Sequence, residues 1–175
     1  MLQLALVVDE PPALMVAGRL VPLTTPVEAL ERIMRPSRWV PRPTLGMRNQ
    51  PGGMNEWHFG AEGIFFIVGD RLEVVTVQWR QSGFLEQGRV ELIESTSSVQ
   101  TSAGFSRDHT YEDLMAIHGV PTRTRLDIFH SVGTRSLTAE YNLFDGIDDD
   151  FWFRVTFRDD LAMTLQFSRT SVFGA

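Results

Sequence analysis

Two short stretches of this chain carry the spacing of an α-helix, and the rest is broken by turn residues into short β-prone runs. That alternation constrains the fold more than any single motif does. In TTPVEALERIMRPSR, residues 24–38, Thr25 is placed to cap, Pro26 to take the first helical position and Glu28 the capping-box position. Val27, Leu30, Ile33 and Met34 then recur at helical spacing until Pro36, which has no amide to continue the ladder. HTYEDLMAIHGVPTR, residues 109–123, follows the same scheme. Thr110 and Asp113 open it, Leu114, Met115, Ile117 and His118 carry it, and Gly119 and Pro121 end it.

Strands are expected around these two helices. Leu2–Val8 and Leu14–Val21 are apolar runs joined by Asp9-Glu10-Pro11-Pro12, as in a hairpin. Residues 35–55 hold four prolines, three glycines and four arginines without an acid, and read as a long loop. Runs at 56–60, 63–68 and 72–79 follow, with Gly69-Asp70 as a hairpin turn. Val75, Val77 and Trp79 alternate with Val74, Thr76 and Gln78, which predicts one well-buried sheet face. Residues 81–108 are less regular: RVELIES (89–95) is a candidate strand and STSSVQTSAG (95–104) the most linker-like stretch. Three or four strands close the chain, over 125–131, 136–144, 151–158 and 161–168.

The expected class is therefore α+β: antiparallel sheet with a few short helices packed on one face. Capped helix, proline exit, arginine and meander occur in that order twice. At an offset of 85 residues Thr25, Glu28, Pro36 and Arg38 match Thr110, Asp113, Pro121 and Arg123. The apolar face fits an offset of 84, with Leu30 on Leu114 and Ile33 on Ile117, and Gln78-Trp79 echoes Gln166-Phe167. Two tandem units, residues 1–98 and 99–175 of one globule, would produce this pattern, and so would any two capped helices that precede meanders.

Composition narrows the chemistry. All 16 basic residues are arginine, so a P-loop lysine, a Schiff base and a lysine general base are excluded. No cysteine is present, which removes disulfides, thiolate nucleophiles and cysteine metal sites, and suits a reducing compartment. A net charge of −6 argues against a general nucleic-acid binder. The N-terminal MLQLALVVDEPPALM lacks a basic lead and is interrupted by Asp9 and Glu10, so a buried strand is expected there rather than a signal peptide or membrane span.

The stretches TYEDLMAIHGVPTRTR, AEYNLF and FRVTFRDDLAMTLQF resemble the helix-and-meander module of small bacterial lipoproteins of the SmpA/OmlA type, the module that is duplicated in beta-lactamase inhibitor protein. The first half, with GIFFIVGDRLEVVTVQW after a capped helix, also looks like bacterial domains found among toxin-immunity genes. The resemblance covers about residues 14–80 and 105–170 and departs from the family in two ways: there is no lipobox cysteine, and there are no cysteines for the disulfides of the secreted inhibitor. It implies a non-catalytic scaffold that presents a sheet and loops to another protein.

Nothing in the chain spells a catalytic or cofactor motif. His58, His109, His118 and His130 lack metal-ligand spacing, although His58 shares a strand face with Glu56. There is no nucleophile elbow and no glycine-rich phosphate loop. DGIDDDFWF, residues 145–153, is the sharpest local feature. Asp145, Asp148, Asp149 and Asp150 crowd a turn ahead of Phe151 and Trp152, out of register for a calcium loop. Such a run serves either as a solvated tip or as an acidic plug with an aromatic anchor. Residues 140–160 carry a net −5 and residues 32–55 a net +5, the latter including Arg38, Trp39 and Arg42.

Three functions fit these observations. The first is a cytoplasmic inhibitor or immunity protein that occludes a secreted bacterial toxin in a heterodimer, through Asp145, Asp148–Asp150, Phe151, Trp152, Arg38, Trp39 and Arg42. The second is a general binding or assembly scaffold, with a homodimer as one form. The third is a nucleic-acid or small-ligand binder centred on the arginine-rich loop. No metal, cofactor or membrane is expected in any of them.

Overall fold

The computed structural model describes residues 4–8, 12–41, 54–59, 63–84, 90–129, 133–143 and 151–169. β1 (Leu4–Val7), β2 (Ala13–Val16) and β3 (Arg19–Pro22) form an antiparallel ribbon. The apolar run expected over 14–21 is two strands, not one, because Ala17 and Gly18 turn at positive φ of 48° and 78°. α1 (Val27–Met34) buries Leu30 and Met34.

The start of α1 corrects the expected cap. Pro26, held at φ −56° and ψ 143°, is extended and is itself the N-cap, and no side chain caps the helix. The Thr25 hydroxyl donates to the Pro22 carbonyl at 2.6 Å instead, and Glu28 is exposed. The residues expected as a continuous loop after α1 contain β4 (Arg38–Pro41), which pairs with β5 (Asn55–His58). Its one proline, Pro41, is tolerated because β4 is terminal among the described strands of its sheet, where a missing amide breaks no ladder. β6 (Ile64–Val68) and β7 (Leu72–Gln78) complete a first meander. Gly63 (φ +68°) leads into β6; a Cβ there would lie 2.4 Å from the Gln78 carbonyl oxygen and 2.9 Å from the Ser95 Cβ.

β8 (Arg80–Phe84) and β9 (Val90–Glu94) make a separate hairpin in the region expected to be irregular. β10 (Gln100–Thr101) then runs parallel to β1. The supposed linker is thus part of the core: Ser97, Val99 and Thr101 are at most 3% exposed. Its hydroxyls make that burial affordable by satisfying neighbouring amides, Ser95 Oγ taking the Ser97 N–H and Ser97 Oγ the Val99 N–H, each at 3.3 Å.

α2 (Tyr111–His118) carries a complete capping box. The Asp113 amide donates to Thr110 Oγ1 and the Thr110 amide donates to Asp113 Oδ2 at 2.8 Å. Those bonds from the Thr110 amide and hydroxyl hold the Asp113 carboxyl below its ordinary range. β11 (Arg123–Phe129), β12 (Thr134–Asn142), β13 (Trp152–Arg158) and β14 (Leu161–Ser168) form the second meander.

The two meanders join into one eight-stranded sheet in the order β11-β12-β13-β14-β7-β6-β5-β4. The seam is the antiparallel pair β14–β7, where Thr164 faces Gln78, Leu165 faces Val77 and Gln166 faces Thr76. Two Thr-apolar-Gln triplets therefore meet head to tail. One sheet face carries Phe153, Val155, Phe157, Leu165, Phe167, Val75 and Val77 into the core shared with α1, α2 and the four-stranded sheet β10-β1-β2-β3. The fold is α+β, as its pattern of strands and short helices predicted. Among the described residues no helix is long and apolar enough to cross a membrane.

Candidate protein-binding face

The side chains that alternate with the core residues lie on the other face of the eight-stranded sheet. Strand register places Glu140, Arg154, Gln166 and Thr76 in one row across β12, β13, β14 and β7. Arg154 Nη2 donates to Glu140 Oε2 at 2.8 Å, its Nη1 to Gln166 Oε1 at 2.5 Å, and Gln166 Nε2 to Thr76 Oγ1 at 2.8 Å. Glu140 is wholly buried and Arg154 is 8% exposed, so the row is a rigid spine.

Charged and aromatic groups flank this spine. On one side His58 Nε2 lies 2.7 Å from Glu56 Oε1, on the strand face both were expected to share, and stacks on Phe65. On the other, Arg125 Nε donates to Asp127 Oδ2 at 2.8 Å, and the Arg123 guanidinium lies 5.2 Å over the Trp152 ring. Below the spine opens a cleft of about 350 Å³ lined by Phe129 and Met163, by Ser82, Thr134, Ser136, Thr156 and Thr164, and by Arg158. Arg158 Nη1 donates to Ser82 Oγ.

The residues singled out for partner binding fall as follows. Phe151 packs into the core, 3% exposed, with Arg169 stacked 4.3 Å over its ring, whereas Trp152, 9% exposed, lies on the spine face under Arg123. Arg38 is exposed on β4 and Trp39 lies on the same strand. Asp145, Asp148, Asp149, Asp150 and Arg42 lie outside the described residues. Strand direction brings the flanks of the two charged segments to one end of the sheet. β12 and β13 end there around residues 144–150, and β4 and β5 around residues 42–53. Five strand spacings separate the two flanks, about 24 Å.

His109 and His118 serve packing. His109 Nδ1 accepts from the Ser106 amide at 2.9 Å. His118 sits among Phe153, Phe105 and Tyr141 with its Nε2 3.0 Å from Thr101 Oγ1. Burial, with Tyr111 nearby, pushes the Tyr141 phenol well up, so it stays a donor to the Gly119 carbonyl. His130 lies outside the described residues. Among the described residues no three acidic or histidine side chains gather where they could hold a metal ion.

Reading the sequence missed the spine altogether, because its members lie on four strands and only the register aligns them. It also missed Arg80, which is 7% exposed and donates to the carbonyls of Arg107 and Ala162 and to Glu94. That hydrogen bond, with the charge of Arg107, holds the exposed Glu94 carboxyl below its usual range.

No protein-family model matches the chain, and no curated protein does. Among solved structures, a Streptococcus mutans protein described provisionally as a beta-lactamase inhibitor protein aligns over 81% of this chain and 82% of its own. The TM-score is 0.28 and the identity 11%, a likeness too weak to carry weight for fold or function.

Proposed function

We propose that this chain is a non-catalytic protein-binding inhibitor, and that its target is a secreted bacterial toxin against which it acts as the immunity partner in the cytoplasm. The observation that carries this reading is the placement of the strand ends flanking the acidic and the basic segment at one end of a rigid, polar sheet face. Opposite charges on segments whose flanking strand ends lie about 24 Å apart would fit a partner whose own cleft and rim are oppositely charged, and such a pattern steers association and fixes register. On this reading Asp145 and Asp148–Asp150 enter the basic cleft of the target while Arg38 and Arg42 grip its rim. Phe151 and Trp152 anchor the acidic segment to the sheet.

The test is co-expression with the protein that the neighbouring gene encodes, read as rescued growth and as Kd. Reversing Asp148, Asp149 and Asp150 to arginine is expected to weaken binding at least about 100-fold, mostly through a slower, less salt-sensitive association. Wild-type affinity in that variant would sink the acidic-segment reading, and a neighbouring gene of purely metabolic type would count against immunity. A second reading, a binder of small acidic ligands, is favoured by the cleft in which Arg158 lies among hydroxyls beside Phe129 and Met163.

A further inference from the structure

The terminal strand β11 combines two properties that a sheet edge seldom keeps without use. It is open and carries exposed apolar side chains among charges of both signs: Leu126 is 55% exposed, Ile128 51% and Phe129 51%, interleaved with Arg123, Arg125 and Asp127. It is also seven residues long and ends the strand order of the sheet. An exposed, long edge with apolar side chains is a template for another strand, and proteins blunt such edges with proline, bulges or inward charges. β11 has no proline, and its ladder with β12 runs from Arg123–Glu140 to Phe129–Thr134 without a register shift.

We infer that the occupant is a second copy of this chain, paired through β11 antiparallel to β11 about a twofold axis at Leu126. The sequence Arg-Thr-Arg-Leu-Asp-Ile-Phe is self-complementary in that register and in no other centred on the strand. Arg125 of one copy falls opposite Asp127 of the other, and the reverse, so the intrastrand pair at 2.8 Å grows into a four-charge cluster. Arg123 falls opposite Phe129, extending the stacking it already makes on Trp152. On the other face Leu126 meets Leu126 and Thr124 meets Ile128, which covers part of the exposed apolar surface of Leu126 and Ile128. The result is one continuous sheet through both copies, and the partner-binding end described above stays accessible twice over.

The full chain should sediment at about 100 µM as a dimer of twice 19.8 kDa, a concentration at which even a modest interface is occupied. Asp127→Arg sets arginine against Arg125 at both equivalent sites and should weaken the dimer about tenfold or more without lowering the melting temperature. The exchange Arg125→Asp with Asp127→Arg restores complementarity and should return the dimer to within about threefold of wild type. Leu126→Lys places two ammonium groups on the axis and should leave a folded monomer. Because the chain has no cysteine, Leu126→Cys supplies a single thiol on the axis and should oxidise to a cross-linked dimer, whereas Leu20→Cys, 53% exposed on β3, should not.

A monomeric wild type at that concentration would overturn the inference, as would an Asp127→Arg dimer of unchanged strength. So would equal cross-linking of the two cysteine variants. A monomer that loses its target when Leu126 becomes lysine would assign the edge to a foreign strand instead. In each case the charge-reversal test of the acidic segment stands independently.

Discussion

Glu140 and Arg154 show how much one residue pair can decide. A carboxylate with no solvent contact is tolerable here because Arg154 supplies two of its nitrogens to it, at 3.0 and 2.8 Å. Removing one partner strands a buried charge, so Glu140→Ala is expected to destabilise by about 3–5 kcal/mol. Replacing both, Glu140→Gln with Arg154→Met, removes the uncompensated charge and should recover most of that loss. Urea unfolding midpoints of wild type and the two variants check this; a wild-type midpoint in Glu140→Ala would show that the pair contributes nothing to the fold. Neither residue was conspicuous in the sequence. Glu140 looked like one more acid in a net-negative stretch, and Arg154 like one more arginine after an aromatic run.

At the scale of elements, the two helices contrast. α2 has a capping box, and α1 has none because Pro26 occupies the N-cap and offers no side-chain acceptor. Thr110→Ala should therefore cost about 1 kcal/mol, whereas Thr25→Ala, which removes only a turn hydrogen bond to Pro22, should cost less. The cap also has a pH signature. Asp113 has a lowered pKa in the folded chain, so its contribution is present above the ordinary carboxylate value of about 3.9 and disappears as pH falls through the lower folded value. Asp113→Asn should flatten the acid limb of stability measured between about pH 5 and about pH 2, and an unchanged slope would remove the capping box from the acid response. Both caps were visible as residue patterns; which of them formed depended on one proline's backbone angle.

The whole molecule is joined at places that the tandem pattern does not mark. β10, from the second half, extends the sheet of β1, and β14 pairs with β7. Arg80 of the first half donates to the Ala162 carbonyl of the second at 2.8 Å. A chain cut at residues 98/99 should consequently yield two fragments that melt without cooperativity alone and regain a cooperative transition when mixed; calorimetry of each fragment and of the mixture decides. A cooperative transition in either fragment alone would make the halves separable domains.

Periodicity and turn residues were enough to determine the class of fold, both helices and most strands, since alternation and capping are local properties that a linear chain displays. The interruption at Ala17-Gly18, the strand beside the prolines at 38–41 and the burial of Ser97, Val99 and Thr101 were not legible. Each depends on a neighbour from elsewhere in the chain that supplies a hydrogen bond or covers a surface. The same holds for the candidate face. Asp148–Asp150 and Arg38 stand out as charge clusters in the sequence, but Glu140, Arg154, Gln166 and Thr76 become a spine only when four strands fall into register, and β11 becomes an edge only because no other described strand pairs with its far side. Strand order is set by the sum of distant pairings, which no local stretch of sequence contains.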